Sequence, residues 1–263
     1  MATVRHPAVA GLFYPADPAT LRRQVTEFID AAETTEEAQP PKAIVAPHAG
    51  YVYSGPIAGT AYAQLASRPQ RIHRVVLLGP SHRVAFSGLA YSRASRFRTP
   101  LGDVPVDEAA WEAIADLEQV RQFEAPFEGE HCLEVQLPFL QTLLPDFKVV
   151  PLLVGDADAQ QVAEVLTRLW GGEETLIVIS SDLSHYLDYS TAKAMDAETS
   201  SAIEQLRPEA ISHHRACGRN PLNGLLREAR RQGLHARTLD LRNSGDTAGP
   251  RDRVVGYGAY VFH

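Results

Sequence analysis

The chain has 263 residues, of which 44% are hydrophobic, enough for one large or two small globular domains with a buried core. Its formal net charge is −7, from 32 acidic and 25 basic residues, and no dense run of lysine and arginine occurs. These features argue against a disordered chain, a nucleic-acid-binding protein and a protein that binds anionic membrane surfaces.

Targeting and membrane signals are missing from the sequence. The N-terminal stretch "MATVRHPAVAGLFYP" lacks the hydrophobic region of a signal peptide, and no apolar run approaches the roughly 20 residues that span a bilayer. Two cysteines, Cys132 and Cys217, are too few for a disulfide framework. We therefore expect a cytoplasmic protein with free thiols.

Helix and strand patterns alternate along the chain. Asp17 and Pro18 predict the start of a helix that extends to about residue 33, and the polar stretch 34–41 predicts a loop. Short apolar runs rich in Val, Ile and Leu predict buried strands at 42–46, 74–79, 147–155 and 175–180. Amphipathic patterns predict further helices at 54–67, 107–117, 131–143, 157–170, 190–206 and 220–232.

The order of these elements predicts the fold class. Further strands are predicted at 88–92, 235–242 and 254–262, and they need not be parallel to the central ones. Because helices separate the buried strands and no linker interrupts the pattern, we expect a single α/β domain over residues 1–263. Its architecture should be a three-layer α/β/α sandwich around a mixed central β-sheet.

Polar side chains follow three of the predicted strands. His48 follows the strand at 42–46, His82 follows the strand at 74–79, and Asp182 and His185 follow the strand at 175–180. Open α/β sheets place their functional sites beyond the carboxyl ends of the strands, so we expect these side chains to share a site. A single histidine after a strand is usually a hydrogen-bonded loop residue, and the shared site is inferred from the three placements together.

Imidazoles with a carboxylate or thiolate are typical of a divalent metal site, and a further histidine near an aspartate can act as a base. The competing interpretation, a serine hydrolase, lacks the G-x-S-x-G motif. A nucleotide cofactor has no support either, because the chain has neither a G-x-x-x-x-G-K-[ST] loop nor a strand-linked G-x-G-x-x-G motif.

A series of motifs along the whole chain resembles the Memo-like family, also called AmmeMemoRadiSam system protein B. The motifs are "HPAVAGLFYP", "PHAGYVYSGPIA", "LLGPSH", "TPLGDVPVD", "EHCLEVQLPFLQ", "VPLLVG", "SSDLSHY", "ACGRNP", "NSGD" and "VVGYGAY". The family is similar in fold to LigB-type class III extradiol dioxygenases, which open catechol rings with non-haem Fe(II). The resemblance therefore implies a LigB-like fold.

The resemblance also implies site residues. His48, His82 and Cys217 match the metal-ligand positions, and Asp182 and His185 lie where the dioxygenases have a catalytic base. The dioxygenases have a carboxylate as third ligand, whereas "ACG" offers a thiolate. The resemblance to iron dioxygenases makes Fe(II) the metal expected first. Because a thiolate favours softer ions, Cu(I) and Zn(II) are alternatives.

Several assignments keep alternatives. Cys217 could be a small buried core residue instead of a ligand. His131 is expected to begin a helix, where it either caps the helix, pairs with neighbouring glutamates or lines the pocket. Cys132 stands where the resemblance leads us to expect serine.

Two functions follow from this reading. The first is a non-haem iron oxidoreductase, in which His185, oriented by Asp182, moves protons on a small substrate. The second is a non-catalytic protein that binds a metal or a (phospho)peptide in the same cleft. In either case, a helix start near Ser54 would supply free N–H groups to a carboxylate or phosphate. A radical-SAM partner protein is suggested by the family name alone. The sequence leaves the substrate and the oligomeric state open.

Overall fold

The computed structural model describes residues 3–34, 41–67 and 69–263, so most of the loop predicted at 34–41 lies outside the described residues. The strands are β1 (Val4–Arg5), β2 (Ala43–Ala46), β3 (Arg74–Pro80), β4 (Leu89–Tyr91), β5 (Arg96–Thr99), β6 (Gly102–Pro105), β7 (Val120–Gln122), β8 (Lys148–Val154), β9 (Thr175–Ser180), β10 (His185–Leu187), β11 (Ala236–Asn243) and β12 (Val254–Phe262). The α-helices are α1 (Pro18–Asp30), α2 (Tyr51–Ala63), α3 (Ala109–Glu112), α4 (Leu137–Leu143), α5 (Ala159–Leu169), α6 (Tyr189–Glu204) and α7 (Arg219–Gln232).

The main sheet is mixed, as predicted. Its strand order is β10-β12-β2-β9-β3-β8-β4-β7, and β11 also pairs with β12. The central strands β2, β9, β3 and β8 are parallel, whereas β12 is antiparallel to β2, and β4 is antiparallel to β8. The carboxyl ends of the four central strands therefore meet at one edge of the sheet.

Helices cover both faces of this sheet. Along β2, Ile44 and Ala46 belong to the apolar cluster that also contains residues of α1, α2 and α4. Ala43 and Val45 belong to the opposite cluster, which contains residues of α5, α6 and α7. Because successive strand residues point to opposite faces, these buried runs need a helix layer on each side. The predicted three-layer α/β/α sandwich is confirmed. Within the described ranges, no helix is both long and apolar enough to cross a bilayer.

The helix predicted at 131–143 begins only at Leu137, after a 3₁₀ turn at Glu134–Gln136. The reason lies in residue 130. The Glu130 carboxylate accepts hydrogen bonds from the backbone N–H groups of His131 and Cys132. These bonds compete with helical hydrogen bonding, so the two residues do not form an α-helix. The expectation that His131 begins a helix is wrong.

The helix predicted to start at 54 begins at Tyr51 instead. The Tyr51 N–H donates to the Phe13 carbonyl, and Tyr53 and Ser54 donate to the Gly50 carbonyl. The first turn therefore offers few of the free N–H groups that we expected there for binding an anion.

A small second sheet, with the order β1-β5-β6, was missed by the sequence patterns because its strands are only two to four residues long. Its strand β1 contains Arg5, the first residue of the N-terminal segment, which we define as residues 5–14. The buried Glu134 carboxylate holds this segment by accepting hydrogen bonds from the Arg5 guanidinium, the Ala8 and Val9 N–H groups and the Tyr14 hydroxyl. This arrangement places Phe13 beside the histidines described next.

Candidate metal centre

Adjacent parallel strands bring the predicted side chains together. His48 follows β2, Asp182 follows β9 and His82 follows β3, and these strands are neighbours in the sheet. The ring centroids of His48 and His82 are 5.1 Å apart. A third imidazole, that of His131, lies 5.6 Å from His48 and 5.2 Å from His82. We call these three residues the histidine cluster.

His48 is buried, and its hydrogen bonds determine its tautomer. Its Nδ1 lies 2.9 Å from Ser180 Oγ. The Ser180 hydroxyl donates its proton to the Cys132 carbonyl at 2.7 Å, so Ser180 Oγ must accept from His48 Nδ1–H. The Nε2 atom of His48 is left with a lone pair. Burial lowers the pKa of His48 well below its usual value, so the ring is neutral and able to bind a metal.

Glu130 orients His82 in the same way. Glu130 Oε1 lies 2.9 Å from His82 Nδ1, and Oε2 accepts the His82 backbone N–H at 2.7 Å. Burial by itself raises the pKa of Glu130, but the hydrogen bonds and charge of His82 hold it below its usual range. An ionised carboxylate only accepts hydrogen bonds, so His82 carries its proton on Nδ1 and presents Nε2. Carboxylate–histidine pairs of this kind support bound metals in many proteins.

His131 completes the cluster from the loop that Glu130 shapes. Its ring is nearly parallel to the ring of His82, with an interplanar angle of 12°, and lies 4.7 Å from the ring of Phe13. One ligand nitrogen from each of His48, His82 and His131 lies within 4.8 Å of the others. Burial also lowers the pKa of His131, which keeps the imidazole neutral.

Cys217 lies on the other side of His48. Its Sγ is 3.3 Å from His48 Nε2, and the Asp182 N–H donates to the same sulfur at 3.3 Å. Burial, and then the negative charge of Asp182, raise the pKa of the Cys217 thiol. The thiol is therefore protonated at neutral pH in the metal-free chain, and ligation requires that it lose this proton. The structure brings Cys217 to the predicted position beside His48, and its role as a ligand stays a prediction.

Asp182 and His185 lie in the same region, but no hydrogen bond joins their side chains among the described residues. Asp182 Oδ1 accepts the His48 backbone N–H at 2.7 Å, whereas His185 Nδ1 donates to the Leu183 carbonyl at 2.8 Å. The expected orientation of His185 by Asp182 is therefore corrected: the Leu183 carbonyl, and not Asp182, accepts the hydrogen bond from His185 Nδ1. Burial raises the pKa of Asp182, and the hydrogen bond from His48 partly opposes this.

Sequence reasoning left His131 undecided and did not identify Glu130 as the group that orients His82. The signal was the Glu-His pair in "EHCLE", which also contains Cys132. Cys132 is fully buried and donates to the Pro80 carbonyl, and Gly79 gives it room because any side chain at that position would meet its sulfur. Burial raises the pKa of Cys132, so this thiol is an unreactive packing group in the structure.

The donor set fits a transition metal. Two imidazoles that present Nε2, together with a third imidazole or a thiolate, suit Fe(II), Zn(II) and copper better than Mg(II) or Ca(II), which prefer oxygen ligands.

Comparison with known proteins identifies the family of this chain. The family model described as "Memo-like protein" matches residues 5–261. A MEMO1 family protein of Aquifex aeolicus is 35% identical over 270 residues, which cover 98% of this chain and 99% of the relative. A MEMO1 family protein of Aeropyrum pernix is 37% identical over 286 residues, covering 97% and 98% of the two chains. Because a match of this extent and identity covers nearly the whole length of both chains, the protein belongs to the Memo-like family.

Proposed function

We propose that this protein binds a transition-metal ion at the histidine cluster. With this ion it would act on a small substrate as an oxidoreductase similar to the extradiol dioxygenases. The observation that carries the proposal is the convergence of three imidazoles, with ligand nitrogens within 4.8 Å of one another. Fe(II) is the metal we propose first, with Cu(I) and Zn(II) as alternatives.

The residues present fit such an ion. His48 and His82 would hold it through Nε2, because their Nδ1 atoms are occupied by Ser180 and Glu130. The third donor would be Cys217 or His131. When bound, Fe(II) supplies Lewis-acid and one-electron chemistry that no side chain provides.

The chain's own residues would handle the protons. His185 donates from Nδ1 to the Leu183 carbonyl, so Nε2 is the nitrogen that would accept a proton from a substrate hydroxyl. The buried Asp182 carboxylate would stabilise the resulting imidazolium through its charge. Burial raises the pKa of Tyr257, and the charge of Asp182 raises it further. This phenol therefore stays protonated and can donate a hydrogen bond near Asp182.

The alternative function is binding of a metal or a (phospho)peptide in the same cleft without turnover. The free N–H groups expected for either function at the start of α2 are few, because three of them already have backbone partners. A direct test is anaerobic loading with Fe(II), followed by metal analysis and measurement of oxygen uptake with a catechol. Stoichiometric Fe(II) with uptake supports the oxidoreductase, and stoichiometric Fe(II) without uptake on a broad catechol panel supports the alternative.

The identity of the third donor is tested by two substitutions. If the Cys217 thiolate is the ligand, Cys217→Ser should weaken Cu(I) by at least about 100-fold and Fe(II) by less than about 10-fold, because a hydroxyl is a poor soft-metal ligand. His131→Ala should then change neither affinity by more than about threefold. Competition titrations with chromophoric chelators measure both. The reverse pattern, with loss in His131→Ala alone, assigns the position to His131.

Glu130→Gln should lower metal affinity by about 10- to 100-fold, the usual effect of removing a carboxylate that supports a histidine ligand. The amide has one acceptor oxygen, so it cannot accept from both His82 Nδ1–H and the His82 backbone N–H as the carboxylate does. Isothermal titration with Zn(II) measures the change. The matched control is Glu128→Gln, since Glu128 is exposed and two residues away. Equal Zn(II) affinity in Glu130→Gln and Glu128→Gln would show that Glu130 does not support the metal site.

A further inference from the structure

Tyr186 has a strained backbone beside the candidate site. Its φ is 60°, in the left-handed region that L-residues avoid and that glycine adopts freely. The strain coincides with a β-bulge: His185 pairs with Val255 and Leu187 with Val254, so Tyr186 has no partner on β12. Bulges often occur next to functional sites, where they redirect side chains.

Packing of the side chain does not offset this strain. Tyr186 is 64% exposed. Its described ring contacts are the ring of His185, with centroids 5.8 Å apart, and the guanidinium of Arg253, 5.2 Å from the ring centre. Leu206, the other described non-glycine residue with positive φ, ends a helix and packs against the core. Tyr186 thus lowers stability without burying its ring, and strained residues of this kind cluster at ligand sites.

The exposed large hydrophobic residues of the described chain are Leu12, Val52, Tyr53 and Tyr186. Leu12 precedes Phe13, which packs against His131, while Val52 and Tyr53 lie in the first turn of α2, shortly after His48. Tyr186 contacts His185. Each of these residues is therefore close in sequence to a histidine of the candidate site or to a residue that packs against one.

We propose that Tyr186 is a specificity-determining residue, and that its ring and Arg253 together bind the outer part of an organic anion with an apolar body. The ring offers an apolar face. Arg253 is exposed and forms no ion pair within the described residues, so its guanidinium is available for the anionic group. The inference rests on the proposed function in placing the inner part of the same ligand at the histidine cluster.

The test uses the full metal-free chain and the dye anilinonaphthalene sulfonate, an aromatic anion. Tyr186→Gly should raise the Tm by about 2–4 °C because glycine relieves the strain. The same substitution should weaken dye binding by about 2- to 12-fold because the aromatic contact is lost. Tyr186→Phe keeps the ring and should leave both values unchanged. Calorimetry and fluorescence titration measure the two effects.

A second pair of variants tests the charge. Arg253→Gln should weaken the sulfonate dye by about 2- to 5-fold and leave the neutral analogue N-phenylnaphthylamine unchanged. The matched control is Arg251→Gln, because Arg251 makes the same kind of contact with Tyr189, at 4.6 Å. It should leave both dyes unchanged.

A lower Tm for Tyr186→Gly, or an unchanged affinity for the sulfonate dye, would overturn the role of Tyr186. Equal effects of Arg253→Gln on the charged and neutral dyes would overturn the assignment of an anionic ligand. Failure of the parent chain to bind any metal would contradict the proposed function but would not alter these measurements, which need no metal.

Discussion

Replacing His82 with alanine is expected to lower Fe(II) affinity by at least about 100-fold, more than the loss of a supporting residue usually costs. The Nε2 atom of His82 is one of the two that we expect to hold the ion, and Glu130 fixes the ring so that this atom is free. His82 is partly exposed, with 32% of its side chain accessible, so its removal should leave the fold intact. Anaerobic equilibrium dialysis followed by elemental analysis measures the bound iron.

The control for this variant is a histidine at the other end of the same strand. His73 immediately precedes β3, at the opposite edge of the sheet from His82, and is exposed. His73→Ala should therefore bind as much iron as the parent protein. If both variants retain iron, or both lose it equally, the histidine cluster is not the metal site.

Replacing Glu134 with alanine is expected to lower the free energy of unfolding by about 3–5 kcal/mol, the typical cost of breaking a buried ion pair. The substitution leaves the Arg5 guanidinium, the Ala8 and Val9 N–H groups and the Tyr14 hydroxyl without their acceptor. Urea unfolding monitored by circular dichroism should show a lower midpoint with an unchanged m-value.

Glu27→Ala is the matched control because Glu27 pairs with Arg23 on the surface, where both side chains are 67% exposed. An exposed pair of this kind contributes at most about 1 kcal/mol, and the variant should unfold close to the parent midpoint. A Glu134→Ala midpoint equal to that of Glu27→Ala would show that the N-terminal segment does not depend on this carboxylate.

The central sheet and the positions of His48 and His82 could be predicted because both depend on local patterns. Runs such as "TLIVIS" are apolar on both faces, so they form buried strands wherever they occur. Once the strands are parallel neighbours, the residues just after them must lie at one edge. The fold class therefore followed from periodicity, and two members of the cluster followed from the fold class.

The remaining features depend on contacts between distant residues, which periodicity does not report. His131 joins the cluster because the Glu130 carboxylate binds the following backbone and prevents a helix there. The base tautomer of His185 depends on the Leu183 carbonyl, which any residue at that position could provide. The strain at Tyr186 depends on how β10 meets β12, and nothing in the letters "SHY" indicates a bulge.

The contact between Cys217 and His48 joins residues that are made at very different times during protein synthesis. These residues are 169 positions apart, and at about 5–20 residues per second the ribosome takes about 8 to 34 seconds to add the intervening chain. Until then a nascent chain exposes His48 and His82 without Cys217, and before residue 130 is added it also lacks the carboxylate that orients His82. A chain that has not reached residue 217 thus has His48 without its thiol neighbour. On the proposed function, any ligand set that includes Cys217 is assembled only after the chain has been made through that residue.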